Sequence, residues 1–425
     1  MTDLQNTRTV FVIEGYNRYS IAALTGALDR DLPDAPLAFL PGGEKLGDRL
    51  RSLNPGARSH IVLAFSFMTP QLPRILTSLA SLHPRPANVT LVAGGPHPSG
   101  DPLGTLRLGF DVVVTGEGEV TFPALLRRIF SGEPYTDLPG IAFLREGQLV
   151  RNRRPPWVHL DDYPPFSLKH RKLAAIEITR GCPWACSFCQ TPFYMGGRMR
   201  YRSVETILHW LRTARETNGV TYARFISADC FSYGSRTGRQ PDDLEPVEEL
   251  LRETSRLMGK ENTFFGSFPS EVRPGSVTPK GMALLKKYCA NDNIVIGAQS
   301  GSNRLLRAVH RGHTIEEVYR AAEIITAAGL KCVVDFIFGL PGETEEDRQL
   351  TIQAIHRLTR LGATINSHFF YPLPGTPLAR SAPGAPDEET LQFLRSLSDG
   401  GHAAGRWQAR LKTLMAAPPA LNTIA

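Results

Sequence analysis

The feature that most constrains this chain is a series of short runs that are apolar at nearly every position. Residues 9–13, 60–65, 89–93 and 111–114 are rich in Val and Ile and lack the alternation of a half-exposed strand. A weaker run lies at 36–40. Strands of this kind are covered on both faces, as in a parallel sheet whose crossovers are helices. Helical spacing appears between and after them, at 21–28 and 120–130. Glycine-rich loops follow the last two runs directly: Gly94-Gly95-Pro96-His97 and Gly116-Glu117-Gly118-Glu119. The expectation for residues 1–139 is a doubly wound α/β domain, with ligands bound beyond the carboxyl ends of its strands.

Residues 140–172 read as a small hairpin followed by a Pro-rich linker with Trp157 and Tyr163. A second strand–helix series then begins. Its strands are expected at 175–179, 222–227, 263–267, 294–297, 331–338 and 363–370. Ser203, Thr278-Pro279, Thr314 with Glu317, and Thr344 are helix starts, and Gly329 is a helix stop. Six such units over 173–378 imply a partial (β/α)6 barrel, in which function gathers at the carboxyl ends of the strands. Residues 379–425 are expected to hold one helix, at 388–397, and a disordered tail.

The length of 425 residues suits this two-domain plan. The formal charge of +7 is a small excess of 48 basic over 41 acidic residues. Nucleic acid is therefore not an expected partner. The densest basic run, Arg151-Asn-Arg-Arg154, adjoins Pro155-Pro156 and reads as solvated linker. No apolar run is long enough for a membrane span, and the N-terminus lacks the apolar core of a secretory signal. A cytoplasmic location is expected.

Three of the six cysteines, Cys182, Cys186 and Cys189, fall in one loop after the first strand of the second domain, within "TRGCPWACSFCQTP". A thioredoxin-like pair would use only Cys186 and Cys189 and leave Cys182 idle. A structural zinc site would need a fourth ligand, and the remaining cysteines, Cys230, Cys289 and Cys332, are isolated. Cys289 and Cys332 read as small core hydrophobes. Three thiolates on a four-iron cluster would leave one iron open to a further ligand.

The CxxxCxxC spacing, with Phe188 before the last cysteine, resembles the signature of the radical S-adenosylmethionine (SAM) enzymes. The resemblance extends to "GAQSGSNRLL" (297–306), "FIFGLPGETEED" (336–347) and "FYPLPGTPL" (370–378), and covers roughly residues 173–378. It implies a [4Fe-4S] cluster on Cys182, Cys186 and Cys189, with SAM on the open iron. It places Phe188 near the adenine, and makes Asp229, Ser270, Glu271, Gln299 and Ser300 the expected SAM contacts. The chain departs from the family's Gly-Gly-Glu after the second strand, where Ser227-Ala228-Asp229 stands. No catalytic residue is assigned; Tyr194, Cys230, Tyr233 and His368 are candidates for proton transfer by position only.

The first domain resembles the Rossmann-like cobalamin (B12)-binding domains that precede many radical SAM cores. Gly94, Gly95, Gly116, Glu117 and Gly118 are its expected cobalamin contacts. Where many such domains carry Asp-x-His-x-x-Gly, this chain has Glu14-Gly-Tyr-Asn-Arg-Tyr-Ser20. Cobalamin would thus be held without a histidine lower ligand, and His97 reads as a turn residue. The plan also resembles methylthiotransferases, whose first domain holds a second cluster; with no cysteine before 182 that reading lacks its ligands. The expectation is a cobalamin-dependent methyltransferase acting on an unactivated carbon of a small molecule or peptide, with flavodoxin or ferredoxin as electron donor. The alternatives are a rearrangement, cyclisation or oxidation by an enzyme whose first domain no longer binds cobalamin, and a non-catalytic cluster or cobalamin sensor.

Overall fold

The computed structural model describes residues 7–53, 60–241 and 243–416. It divides into two compact units, one running to Ala174 with Leu373–Gly375 added, the other comprising Ala175–Pro372 and Thr376–Met415. The expected C-terminal tail lies almost wholly outside the described residues.

In the first unit seven strands form one sheet: β1 (Thr7–Ile13), β2 (Leu37–Pro41), β3 (His60–Ser66), β4 (Val89–Gly94), β5 (Val112–Val114), β6 (Ile141–Arg145) and β7 (Gln148–Arg151). Their order is β2-β1-β3-β4-β5-β6-β7, and the first five are parallel. The strands are apolar throughout because each feeds two cores. Val10, Val12, Ile61 and Leu63 pack with Leu46, Leu50, Ile75 and Leu79 on one face. Phe11, Val62 and Ala64 pack with Ile21, Leu28, Phe122 and Leu125 on the other. Successive strand residues point to opposite faces, so both faces must be covered by helices. Each such side chain contributes roughly 1.5–3 kcal/mol by its burial.

The hairpin at 141–151 is not separate from this domain. β6 pairs antiparallel with β5, and buries Ala142 in one core and Ile141 in the other. Consecutive apolar residues at 141–143 would otherwise be exposed on an isolated hairpin. The Pro-rich stretch also stays with the first unit. The Val158 amide donates to the Glu117 carboxylate at 2.8 Å, and Leu160 and Phe166 are buried.

The second unit holds β8 (Ile176–Glu177), β9 (Thr179–Arg180), β10 (Arg200–Tyr201), β11 (Ala223–Ile226), β12 (Thr263–Phe264), β13 (Asn293–Gln299), β14 (Lys331–Phe338), β15 (Thr364–Phe369) and β16 (Ala403–Ala404). Two parallel sheets, β8-β11-β12 and β13-β14-β15-β16, follow chain order. They are linked where the Val295 amide donates to the Gly266 carbonyl and Val272 bridges to Ile296. This is a part-barrel with the six expected strands and a short seventh, β16. Two alanines carry no strand signal, so the expected end of the core at 378 is early; the unit continues through the helix Trp407–Met415.

Strand burial alternates in the barrel. Cys332, Val334, Phe336 and Phe338 are buried against helices, while Val333 and Ile337 retain accessible surface on the lumen side.

The turn after β13 is tied to the helix Glu345–Arg360. Asp347, the third residue of that helix, accepts from Ser302 Oγ, Thr344 N and Arg304, and Thr351 Oγ1 accepts from Gly301 N at 3.0 Å. Burial alone would raise the Asp347 carboxyl, but its bonds from Arg304, Ser302 and Thr344 hold it well below the ordinary carboxylate range. Its contribution is then complete above the unfolded value of about 4 and is lost as pH falls below that value. Asp347→Asn is expected to cost about 2–4 kcal/mol at neutral pH. In urea unfolding the gap from wild type should hold from about pH 5 to 8 and close in acid; a gap that persists in acid would contradict the assignment.

Candidate functional site

The cysteine loop leaves the barrel at the carboxyl end of β8. β9 and β10 close its base as an antiparallel pair, Arg180 with Arg200 and Thr179 with Tyr201. Gly181 opens the loop at φ +91°, and a Cβ there would lie 2.3 Å from the Arg198 carbonyl oxygen. Only glycine fits this approach. The Cys182 amide then donates to the Gly196 carbonyl, and the Cys189 amide to the Cys186 carbonyl, at 3.0 and 3.1 Å.

All three thiols are unpaired. Burial pushes Cys182 up to about 11 and raises Cys189, and the charges of the neighbouring cysteines add to both shifts. Thiols in such a place stay protonated until a metal ion replaces the protons. Among the described residues, the only three ligand atoms within 4.8 Å of one another belong to the exposed carboxylates of Glu345, Asp387 and Glu389. Three free cysteines in one loop suit a cluster with one iron left open.

Two buried guanidinium groups stand beside the loop. Arg311 Nη1 lies 3.8 Å from Cys186 Sγ, and Arg273 stacks on the Trp184 ring with its guanidinium carbon 3.8 Å from the ring centre. Neither arginine was singled out from the sequence. Both follow strand ends or helix ends far from the cysteines, and only the fold brings them there.

The expected SAM contacts fall into two groups. Asp229 is fully buried and its carboxylate is committed inward: it accepts from Ser232 Oγ at 2.7 Å, Ser276 Oγ at 2.6 Å and the Arg273 amide at 3.3 Å. Ser270 Oγ donates to the Phe225 carbonyl at 2.6 Å. Ser300 Oγ accepts from the Ser302 amide and meets Thr351 Oγ1. These three brace strand ends. Glu271 and Gln299 are placed differently. Glu271 keeps accessible surface, yet its carboxyl lies in the field of Asp335, Arg311, His368 and Arg273, so it opens onto the lumen. Burial and the Asp335 charge raise it, and the cations oppose that rise. Gln299 sits at a bulge of β13 with φ +74°, its side-chain amide folded over Gly297. Phe188 packs beside Leu305, Val309, Leu340 and Phe370.

Deeper in the barrel, Gly297, Asp335 and Asn366 lie in one row across β13, β14 and β15. Asn366 Nδ2 donates to Asp335 Oδ1 at 2.7 Å and lies 3.0 Å from His368 Nε2, and Arg410 donates to Asn366 Oδ1 at 2.6 Å. Of the proton-transfer candidates, only His368 belongs to this layer. Tyr233 OH donates to the Arg202 carbonyl, and burial holds the Cys230 thiol up at about 12. Tyr194 lies on the short helix Thr191–Met195 of the cysteine loop.

In the first unit, the order β2-β1-β3 places the topological switch between β1 and β3. Asn17 knits it. Its side chain accepts from the Glu14 amide and donates to the carbonyls of Val12 and Ser66 at 2.9 and 3.0 Å. Tyr16 is 73% exposed and Met68 40% exposed at this rim. Gly116 has φ +76° with open space where a Cβ would project, Gly95 has φ +96°, and Gly94 ends β4. Gly118 instead abuts Leu24, and Glu117 is engaged by Val158, so these two brace the domain. His97 is buried, stacked on Phe67 and 3.0 Å from Thr69 Oγ1; burial lowers it to about 4. It is a neutral core imidazole.

Comparison with known proteins matches the Radical SAM superfamily over residues 176–355 and the B12 binding domain over 28–126. An uncharacterized protein of Methanopyrus kandleri is 26% identical over 356 residues, 72% of this chain and 65% of its own length. An uncharacterized methyltransferase of Pyrococcus horikoshii is 27% identical over 286 residues, 64% of this chain and 58% of its own length. The chain thus spans less than two thirds of either relative. Among solved structures, the radical SAM methyltransferase TsrM from Kitasatospora setae, with cobalamin and a [4Fe-4S] cluster bound, has a TM-score of 0.67 at 16% identity, covering 88% of this chain and 74% of its own. The cobalamin-dependent SAM radical enzyme OxsB, with aqua-cobalamin bound, has a TM-score of 0.63 at 18% identity, covering 82% and 52%. At these identities the likeness is one of fold.

Replacing Cys182, Cys186 or Cys189 by Ala is expected to abolish cluster absorbance after anaerobic reconstitution. Gly181→Ala should reduce iron retention by about 10-fold or more, because it displaces the loop that sets the ligand geometry. Iron and sulfide assays decide both; full retention in any one cysteine variant would remove that residue from the ligand set.

Proposed function

This chain belongs to the radical SAM superfamily and carries a B12-binding domain ahead of its radical SAM core, and from that premise we propose that it is a cobalamin-dependent radical SAM methyltransferase. The observation that carries the reading is the three-cysteine loop at the end of the first barrel strand, with a complete doubly wound domain preceding it in the chain. Together the bound groups would supply reductive cleavage of SAM and methyl transfer to an unactivated carbon.

The chain's own residues have separable tasks. Cys182, Cys186 and Cys189 hold the cluster. Glu271 and Gln299 are the two SAM contacts whose side chains are free of internal bracing, and Glu271 suits an ammonium group. Phe188 forms an apolar wall for the adenine. In the first unit Gly94, Gly95 and Gly116 let a large flat ligand approach the backbone, and Tyr16 and Met68 offer it an apolar rim. Asn17 stands in the β1 loop where a cobalt-binding histidine would be expected, and it is spent on backbone groups. Asp335, Asn366 and His368 face the lumen and can orient a polar substrate. A small molecule or peptide is the expected substrate class, with flavodoxin or ferredoxin as reductant. Six unpaired cysteines suit a reducing cytoplasm.

The test uses the full chain, reconstituted anaerobically with iron, sulfide and hydroxocobalamin. It should retain corrinoid through gel filtration and, with SAM and a reductant, form both 5′-deoxyadenosine and S-adenosylhomocysteine. Formation of 5′-deoxyadenosine alone, with no corrinoid retained, would leave radical SAM chemistry and sink methyl transfer. The cobalt(II) spectrum of the 15N-labelled protein should be unchanged by the label, since the β1 loop supplies no histidine; a label-dependent splitting would refute that ligation.

A further inference from the structure

The segment Val309-His310-Arg311-Gly312-His313 touches the cysteine loop at four consecutive positions. The Val309 carbonyl accepts from the Ser187 amide at 3.0 Å. His310 Nδ1 lies 3.2 Å from Ser187 Oγ. Arg311 Nη1 lies 3.8 Å from Cys186 Sγ. Gly312, at φ +73°, passes so close to Trp184 that a Cβ would lie 2.5 Å from its ring. Arg273, stacked on that ring, donates to the Arg311 carbonyl.

The Arg311 guanidinium is itself held in place. Nη2 donates to the Gly297 carbonyl at 2.7 Å, across a strand position where a Cβ would come within 2.6 Å of that nitrogen. Gly297 thus makes room for the fork. With Nη2 anchored on β13, Nη1 is aimed at the Cys186 sulfur. The remaining donor, Nε, is buried and has no acceptor among the described residues. A buried guanidinium with an unsatisfied donor is costly.

We propose that Arg311 is a positioning residue that donates to the Cys186 sulfur and makes the cluster easier to reduce. This rests on the assignment of a [4Fe-4S] cluster to the three cysteines. A hydrogen bond to a ligating thiolate withdraws electron density, and a fixed positive charge in a low-dielectric site favours the more negative, reduced state. Reductive SAM cleavage begins with that reduction, so the residue acts on the first electron transfer without touching a substrate.

The experiment is a redox titration of the reconstituted full chain without SAM, following the EPR signal of the reduced cluster. Arg311→Met removes the donor and the charge at similar length. It should lower the one-electron reduction constant at least tenfold, about 59 mV toward more negative potential. Arg311→Lys keeps the charge but cannot bridge Gly297 and Cys186 together, and should fall between the two. Gly297→Ala crowds the guanidinium from the strand side without touching the cysteine loop, so it carries the test if Arg311→Met retains no iron; it should shift the potential in the same direction. Equal potentials in wild type, Arg311→Lys and Gly297→Ala, each with full iron content, would overturn this inference alone. An unchanged SAM-free potential with weakened SAM binding would also overturn it, and would assign Arg311 to the SAM carboxylate. Absence of a [4Fe-4S] signal in wild type would overturn the cluster assignment and this inference together.

Discussion

Two buried guanidinium groups against the three-cysteine loop are the interaction on which the rest of the second unit depends. Arg273 and Arg311 lie within a loop's breadth of Cys186, and Asp229 is the buried carboxylate beside Arg273. Glu271 and Asp335 lie in the same field, so the two cations answer to carboxyls as well as to the cysteines. A fixed guanidinium aimed at Cys186 suits an anionic ligand set at the loop.

That demand explains several features that look unrelated. Gly181 lets the loop turn under the Arg198 carbonyl, Gly297 lets the guanidinium reach β13, and Gly312 lets a neighbouring segment lie on Trp184. Each is a close approach that a side chain would block. Asp229, Ser270 and Ser300 have the right chemistry to bind a cofactor but instead satisfy backbone and arginine groups around it. They are the bracing, and Glu271 and Gln299 are what the bracing leaves free to face the lumen.

The first unit follows a different constraint. A parallel sheet covered on both faces can offer ligands only its strand ends. The loop after β1 is closed by Asn17 rather than opened by a histidine, so binding there must rely on backbone approach and the apolar rim. The hairpin β6–β7 covers the far edge of the sheet because β5 is only three residues long and needs a partner to bury Ile141 and Ala142.

By itself the sequence determined the two α/β units, the six barrel strands and the three-cysteine loop. Local information was enough for these: apolar runs, helix caps and a spacing within eight residues. It also determined that no histidine stands in the β1 loop. It could not separate Glu271 and Gln299 from Asp229, Ser270 and Ser300, because all five follow strand ends and differ only in where their side chains point. Nor could it find Arg273, Arg311 or the Asp335–Asn366–His368 layer, or the two-residue strand β16. Those depend on parallel register and on segments far apart in the chain meeting at one loop. Tertiary structure decided them, because only packing determines which polar groups are satisfied within the protein and which remain free for a ligand.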